Sequence, residues 1–191
     1  MSPDEDNPGA RDLIPGFTPE NDLERRLARD PVLLEGWAWG KARPGHPEGA
    51  VGAHVADLLR TIDSWGETGK RRSELRLIAL VHDAMKSRVK QWLPRTGENH
   101  HAMRARRFAE AYTEDERLLV TIELHDCAYG IWRKSRRPSG EERERLVAMG
   151  ARIPDLDIFL RFVELDGSTD GKDPEPVDWV RSELAQGSGE D

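Results

Sequence analysis

The chain has 191 residues, 37% of them hydrophobic and 34% charged, which is enough for one domain with a sizeable core. A formal net charge of −7 argues against general attraction to nucleic acid or membrane surfaces, and a single cysteine, Cys127, excludes an internal disulfide. No apolar run approaches the roughly 20 residues of a membrane span, and the acidic start MSPDEDNPGARD is the opposite of a signal or transit peptide, so a cytoplasmic protein is expected.

Residues 1–17, polar with several Pro and Gly, read as a flexible segment. Thr18-Pro19-Glu20 predicts a helix start, with Thr18 as the cap and a short helix through Leu23 and Leu27 that ends near Asp30-Pro31. Residues 36–49 read as an irregular approach whose Trp37 and Trp39 either cover the core or wall a pocket. From about Pro47 to Trp65, the residues Val51, Val55, Leu58, Ile62 and Trp65 form one helical stripe, with His54 at its border. A turn through Gly66 and Gly69 leads to a helix predicted over Ser73 to Trp92. In it Leu75, Ile78, Ala79 and His82 share a face, with Asp83 beside them. Leu93 to Gly97 breaks the pattern.

A further helix begins at Glu98 or Asn99 and reaches Tyr112, with Ala105, Phe108, Ala109 and Tyr112 inward. Thr113-x-x-Glu116 fits a capping box before a helix that carries Leu118, Leu119, Ile122, His125 and Tyr129 along one face. The basic run Arg133 to Arg137 ends it. Ser139-x-x-Glu142 opens a helix to Met149. Pro154 marks another, with Ile158, Phe159, Phe162, Val163 and then Asp166 at helical spacing. Asp173-Pro174 starts a last helix through Val177, Trp179, Val180 and Leu184, and residues 187–191 form a polar tail. No strand, repeat or second domain is evident. The expectation is an all-α, single-domain bundle of about six to eight helices over residues 18–186, with a core at 46–170.

The chemistry gathers on the apolar stripes. A carboxylate left alone in a core costs several kcal/mol or more, so Asp83 needs either a cleft or a compensating cation. His54, His82, His125 and Asp166 each belong to a different predicted helix and lie on or beside its apolar face. Imidazole and carboxylate together suit Fe, Mn, Zn and similar divalent ions. The scattered spacing excludes a zinc-finger pattern. Either His101, four residues before Ala105, or His100 completes the set, or both face solvent at a helix start. Lys86, three residues after Asp83, is the first candidate for countering charge on an anionic substrate. Arg104, Arg133, Lys134, Arg136 and Arg137 are either candidates of longer reach or solvated side chains at a helix end. Glu123 and Asp126 flank His125, either as orienting partners of its imidazole or as ordinary surface acids, and Cys127 reads as a small packing residue.

The order His54, His82-Asp83, His100 or His101, His125, Asp166 resembles the HD-domain superfamily of metal-dependent phosphohydrolases. HDAMK looks like that family's HDxxK, and FVELDG like its last ligand-bearing helix. The likeness covers residues 46–170 and implies an HD-type helical fold. It also implies one metal held by His54, His82, Asp83 and Asp166. A second would be held by His101 (or His100) and His125, with Asp83 as the bridge. The implied cofactor is one or two divalent ions (Fe, Mn, Mg, Co or Zn). The implied reaction is cleavage of a phosphomonoester or phosphodiester, nucleotides included, by a metal-bound hydroxide, with Asp83 and Lys86 as catalytic residues and a small anionic phosphorylated substrate as partner. The same ligand order occurs in the HD-fold mixed-valence diiron oxygenases, and a catalytically silent ligand-sensing HD domain is the third reading. No substrate signature, such as the GYP of cyclic-dinucleotide enzymes, accompanies the set.

Overall fold

The computed structural model describes residues 8–42, 49–134, 140–169 and 175–187. These residues form ten α-helices and no strand; one isolated bridge joins Gly40 to Ala50. The helices are α1 (Pro8–Leu13), α2 (Asp22–Leu27), α3 (Pro31–Ala38), α4 (Val51–Ser64), α5 (Gly69–Val81), α6 (His101–Ala109), α7 (Glu116–Lys134), α8 (Gly140–Gly150), α9 (Leu156–Gly167) and α10 (Glu175–Gly187). Two 3₁₀ turns, Ala84–Arg88 and Gly97–Asn99, lie between α5 and α6. No helix among the described residues is long and apolar enough to cross a membrane.

The all-α expectation holds, and the count exceeds six to eight because the N-terminal region is more ordered than its composition suggests. Within the expected flexible segment 1–17, residues from Pro8 onward form α1 and pack: Ala10, Ile14 and Phe17 are all buried in the main core. Gly52 makes this possible, since a Cβ there would sit 2.1 Å from the Leu13 carbonyl oxygen. The first predicted helix starts later than Thr18. Asn21 is the cap of α2, its side chain accepting from the Glu24 N–H at 2.9 Å, while the Thr18 carbonyl is taken by Arg76 at 3.0 Å. Asp30-Pro31, read as a helix end, opens α3. The Asp30 carboxylate accepts from the Val32 N–H at 2.8 Å and Pro31 occupies the first turn. The irregular stretch expected from residue 36 therefore begins later, and residues 43–48 lie outside the described residues.

The core has two parts. The larger includes residues of α1 to α7 and α9, and the smaller lies between α7, α8, α9 and α10. α7 serves both: Leu118, Leu119 and Ile122 face the first, whereas Val120, Leu124, Ala128 and Ile131 face the second. The single stripe read from sequence missed that second face, and Tyr129, expected inward, is 45% exposed. The start of α7 also differs: Asp115, not Thr113, presents its carboxylate to the Arg117 N–H at 3.0 Å. Ser139 and Asp173-Pro174 lie outside the described residues, as does the tail beyond Gly187.

α5 is buried on all sides from Glu74 to Val81 and ends eleven residues before Trp92, the predicted end. Its last carbonyls, which a longer helix would satisfy, have other donors. The His82 N–H closes the last regular turn on Ile78 O at 2.9 Å; beyond it the His82 ring donates to Ala79 O at 3.0 Å and the Trp37 indole to Leu80 O at 2.8 Å. Trp37 is thus a core residue that also stops the site helix. The chain then turns through Asp83 into the 3₁₀ segment, against which α3 packs so closely that a Cβ on Gly36 would lie 2.1 Å from the Ala84 carbonyl oxygen.

Candidate metal centre

His54 comes from α4, His82 and Asp83 from the end of α5, His101 from the first turn of α6, His125 from the middle of α7 and Asp166 from the last turn of α9. The bundle brings all six together. Ring centres lie 5.5 Å apart for His54 and His82, 5.0 Å for His82 and His125, and 5.5 Å for His101 and His125. Phe162 closes the inner side, its ring 5.2 Å from that of His82 and 6.1 Å from that of His125.

Asp83 is the shared member. Its Oδ2 faces His82 Nε2 at 3.6 Å and pairs with the Lys86 ammonium. Its Oδ1 faces His101 Nε2 at 3.3 Å and His125 Nε2 at 3.7 Å. Two sets with metal-ligand spacing follow: His54, His82 and Asp83, and Asp83, His101 and His125. Asp166 joins through His54, its Oδ1 lying 3.0 Å from His54 Nε2.

The tautomers can be read from the backbone. A carbonyl oxygen only accepts, so His82 Nδ1 carries the proton it gives to Ala79 O, and His125 Nδ1 the proton it gives to Ile122 O at 2.8 Å. The His82 ring then turns an Nε2 lone pair toward the Asp83 carboxylate, and the His125 ring turns its Nε2 to the same carboxylate. His82 Nε2, His101 Nε2 and Asp83 Oδ1 are buried with no hydrogen-bond partner among the described residues. Electron-rich atoms facing one another in a dry site need a proton or a metal cation between them, and this donor set fits a divalent ion.

Charge at the site follows the same geometry. Burial pulls His82 down to about 3, against the opposing pull of Asp83, so its imidazole is neutral at physiological pH. Burial also works against ionised Asp83, but the Lys86 ammonium and its imidazole neighbours outweigh it and hold the carboxyl well below the usual carboxylate range. Burial lowers Lys86 and His125 as well; the Asp83 carboxylate more than offsets this in both, and both end above their ordinary values.

Of the two neighbouring histidines, His101 stands beside Asp83. His100 caps α6 instead, its Nδ1 accepting from the Ala102 N–H at 3.3 Å. Its Nε2 is 3.9 Å from Asp126 Oδ2, which is also 4.0 Å from His101 Nε2. Asp126 is therefore near the centre. Glu123 is not an orienting partner of His125: it is buried in ion pairs with Arg106, at 2.9 Å, and Arg152.

The candidate cations divide. Lys86 is at the centre. Arg104 donates to Asn99 Oδ1 at 3.2 Å, next to His100. Arg133 is exposed on the outer part of α7, where its guanidinium carbon lies 6.0 Å from the Tyr129 ring centre. The Lys134 side chain, Arg136 and Arg137 lie outside the described residues. Cys127 is partly buried against the smaller core, and burial pushes its thiol up. Gly36 and Trp37, which shape the turn at Asp83, were not recognised as parts of the site; the nearby cap-and-proline pair Asp30-Pro31 is the signal for their helix.

No protein-family model, curated protein or solved structure matches the chain.

Proposed function

We propose that this chain is a metal-dependent phosphohydrolase with a dinuclear centre of the HD-domain type. The observation that carries the reading is the position of Asp83, whose two carboxylate oxygens face two different groups of imidazoles. A bridging carboxylate needs this arrangement, and a lone buried Asp salt-bridged to Lys86 does not. His54, His82, Asp83 and Asp166 would hold one ion, and Asp83, His101 and His125 the other. The chemistry such ions supply is Lewis acidity and a bound water acidified to a pKa of about 7.

The chain's own residues supply the rest. Backbone carbonyls fix the His82 and His125 rings with their Nε2 atoms turned inward. Neutral His82 has no proton to lose before it can ligate. The His54–Asp166 hydrogen bond holds a proton that would have to leave before both groups could ligate an ion. Lys86 stays charged and lies where it can offset negative charge on a phosphoryl oxygen. In the reaction the oxygen of water bonds to phosphorus, the bond from phosphorus to the ester oxygen breaks, and the alcohol leaves with a proton from the water.

Elemental analysis of protein purified without chelators, followed by phosphate-release assays with Mn, Co or Mg, tests the reading. We expect bound divalent metal and metal-dependent phosphate release. In Asp83→Ala, we expect metal content to fall at least tenfold and turnover to vanish, with the helical circular dichroism signal retained. Unchanged turnover in that variant would rule out the site. Iron with oxygen uptake and no phosphate release would transfer the centre to the oxygenase class.

A further inference from the structure

The stretch that joins two parts of the centre has little packing to hold it. Asp83 and Lys86 lie before it and His101 after it. Between Arg88 and Gly97 the chain is neither helix nor strand. Its tip is not packed: Trp92 is 78% exposed and Leu93 44%. A segment with so little buried apolar surface opens readily unless hydrogen bonds close it. Yet a shared ion needs His101 Nε2 held near Asp83 Oδ1, which is 3.3 Å away.

Asn99 closes this loop. The residue is 8% exposed, and both polar atoms of its side chain are engaged. Nδ2 donates to Lys90 O and Pro94 O at 3.0 Å each and to Leu93 O at 3.3 Å. Oδ1 accepts from the Lys90 N–H at 3.0 Å and from Arg104 Nη2 at 3.2 Å. Carbonyls only accept, and a backbone N–H and a guanidinium only donate, so the amide has one orientation. Arg104 belongs to α6, and its own N–H bonds to His100 O at 3.1 Å. One side chain thus ties the loop to itself and to the helix that carries His101. Aspartate, of the same shape, lacks the donor, and leucine lacks both donor and acceptor.

We infer that Asn99 is a positioning residue for the second ion, the one assigned to Asp83, His101 and His125. It is not a ligand; it acts through His101, two residues on, by fixing that imidazole against Asp83. The elements that carry His54, His82 and Asp166 receive no side-chain hydrogen bond from Asn99, so the first ion is independent of it. The inference rests on the dinuclear reading and adds the residue on which filling of one of the two positions depends.

Calorimetric titration of chelator-stripped protein with Mn tests it. We expect wild type to bind two ions. In Asn99→Ala one ion is expected to keep its affinity and the other to bind at least tenfold more weakly, as for loss of a group that orients a ligand. Asn21→Ala, which removes the cap of α2, controls for general destabilisation and is expected to retain both ions. His101→Ala is expected to keep the first ion alone. Adding Asn99→Ala to it is expected to change that ion's affinity by less than about twofold, because the two substitutions act on the same position. Two ions in wild type with no difference between them in Asn99→Ala, the same split in Asn21→Ala, or further weakening in the double variant would overturn the inference and leave the dinuclear reading intact. Fewer than two ions in wild type would overturn that reading and the inference with it.

Discussion

Asp83 depends on a residue 47 positions earlier. Gly36 lets α3 approach the turn after the His-Asp doublet until backbone meets backbone, and the Ala84 carbonyl occupies the space a Cβ would need. Backbone cannot swing aside as a long side chain can. Gly36→Ala is therefore expected to cost about 1–3 kcal/mol, measured by urea denaturation, and to weaken Mn binding because the turn holding Asp83 must move. Unchanged stability and metal affinity would show that the contact relaxes without cost. His100 and His101 illustrate the same dependence on small displacements. They are adjacent in sequence, yet one caps a helix and the other faces the carboxylate.

At the scale of the element, α9 is set by the cap that precedes it and delivers Asp166 at its other end. Asp155 accepts from the Ile158 N–H at 3.1 Å and from Arg117 at 3.0 Å. Burial alone would raise its carboxyl; the backbone N–H and Arg117 outweigh this and lower it. A carboxyl with a depressed folded-state pKa contributes stability that is fully present above its unfolded value, about 3.9. That contribution is lost as pH falls through the folded value. Asp155→Ala is expected to cost about 0.5–2 kcal/mol at pH 7, and the gap to wild type in urea denaturation to narrow as pH drops below about 3.9. A gap independent of pH would mean that the loss is packing and not the cap.

At the scale of the molecule, a buried ion pair joins the N-terminal helices to the site helix. Arg76 of α5 donates from Nε and Nη2 to the two carboxylate oxygens of Glu24, each at 2.8 Å, and also to Thr18 O at 3.0 Å. Both side chains are almost fully buried. Arg76→Ala strands the Glu24 charge in the interior and is expected to cost about 3–5 kcal/mol, read from urea midpoints. Replacing both partners with apolar residues, as in Glu24→Leu with Arg76→Met, is expected to recover most of that loss. If the double variant is as unstable as the single, the stranded charge is not the cause.

The amino-acid sequence determined what local interactions decide. Helical periodicity, proline and glycine punctuation and acidic caps specify an all-α chain, and they set imidazoles and acids on the inner or bordering faces of successive elements. It did not determine where α5 stops, because the donors that relieve its last carbonyls include an indole 43 residues away. It also left open the second buried face of α7, the burial of Ala10, Ile14 and Phe17 and the choice between His100 and His101. Each of these depends on contacts between segments distant in the chain. Such contacts add burial and hydrogen bonds that no window of a few turns contains, and only the packed helices set the two oxygens of Asp83 against separate groups of imidazoles.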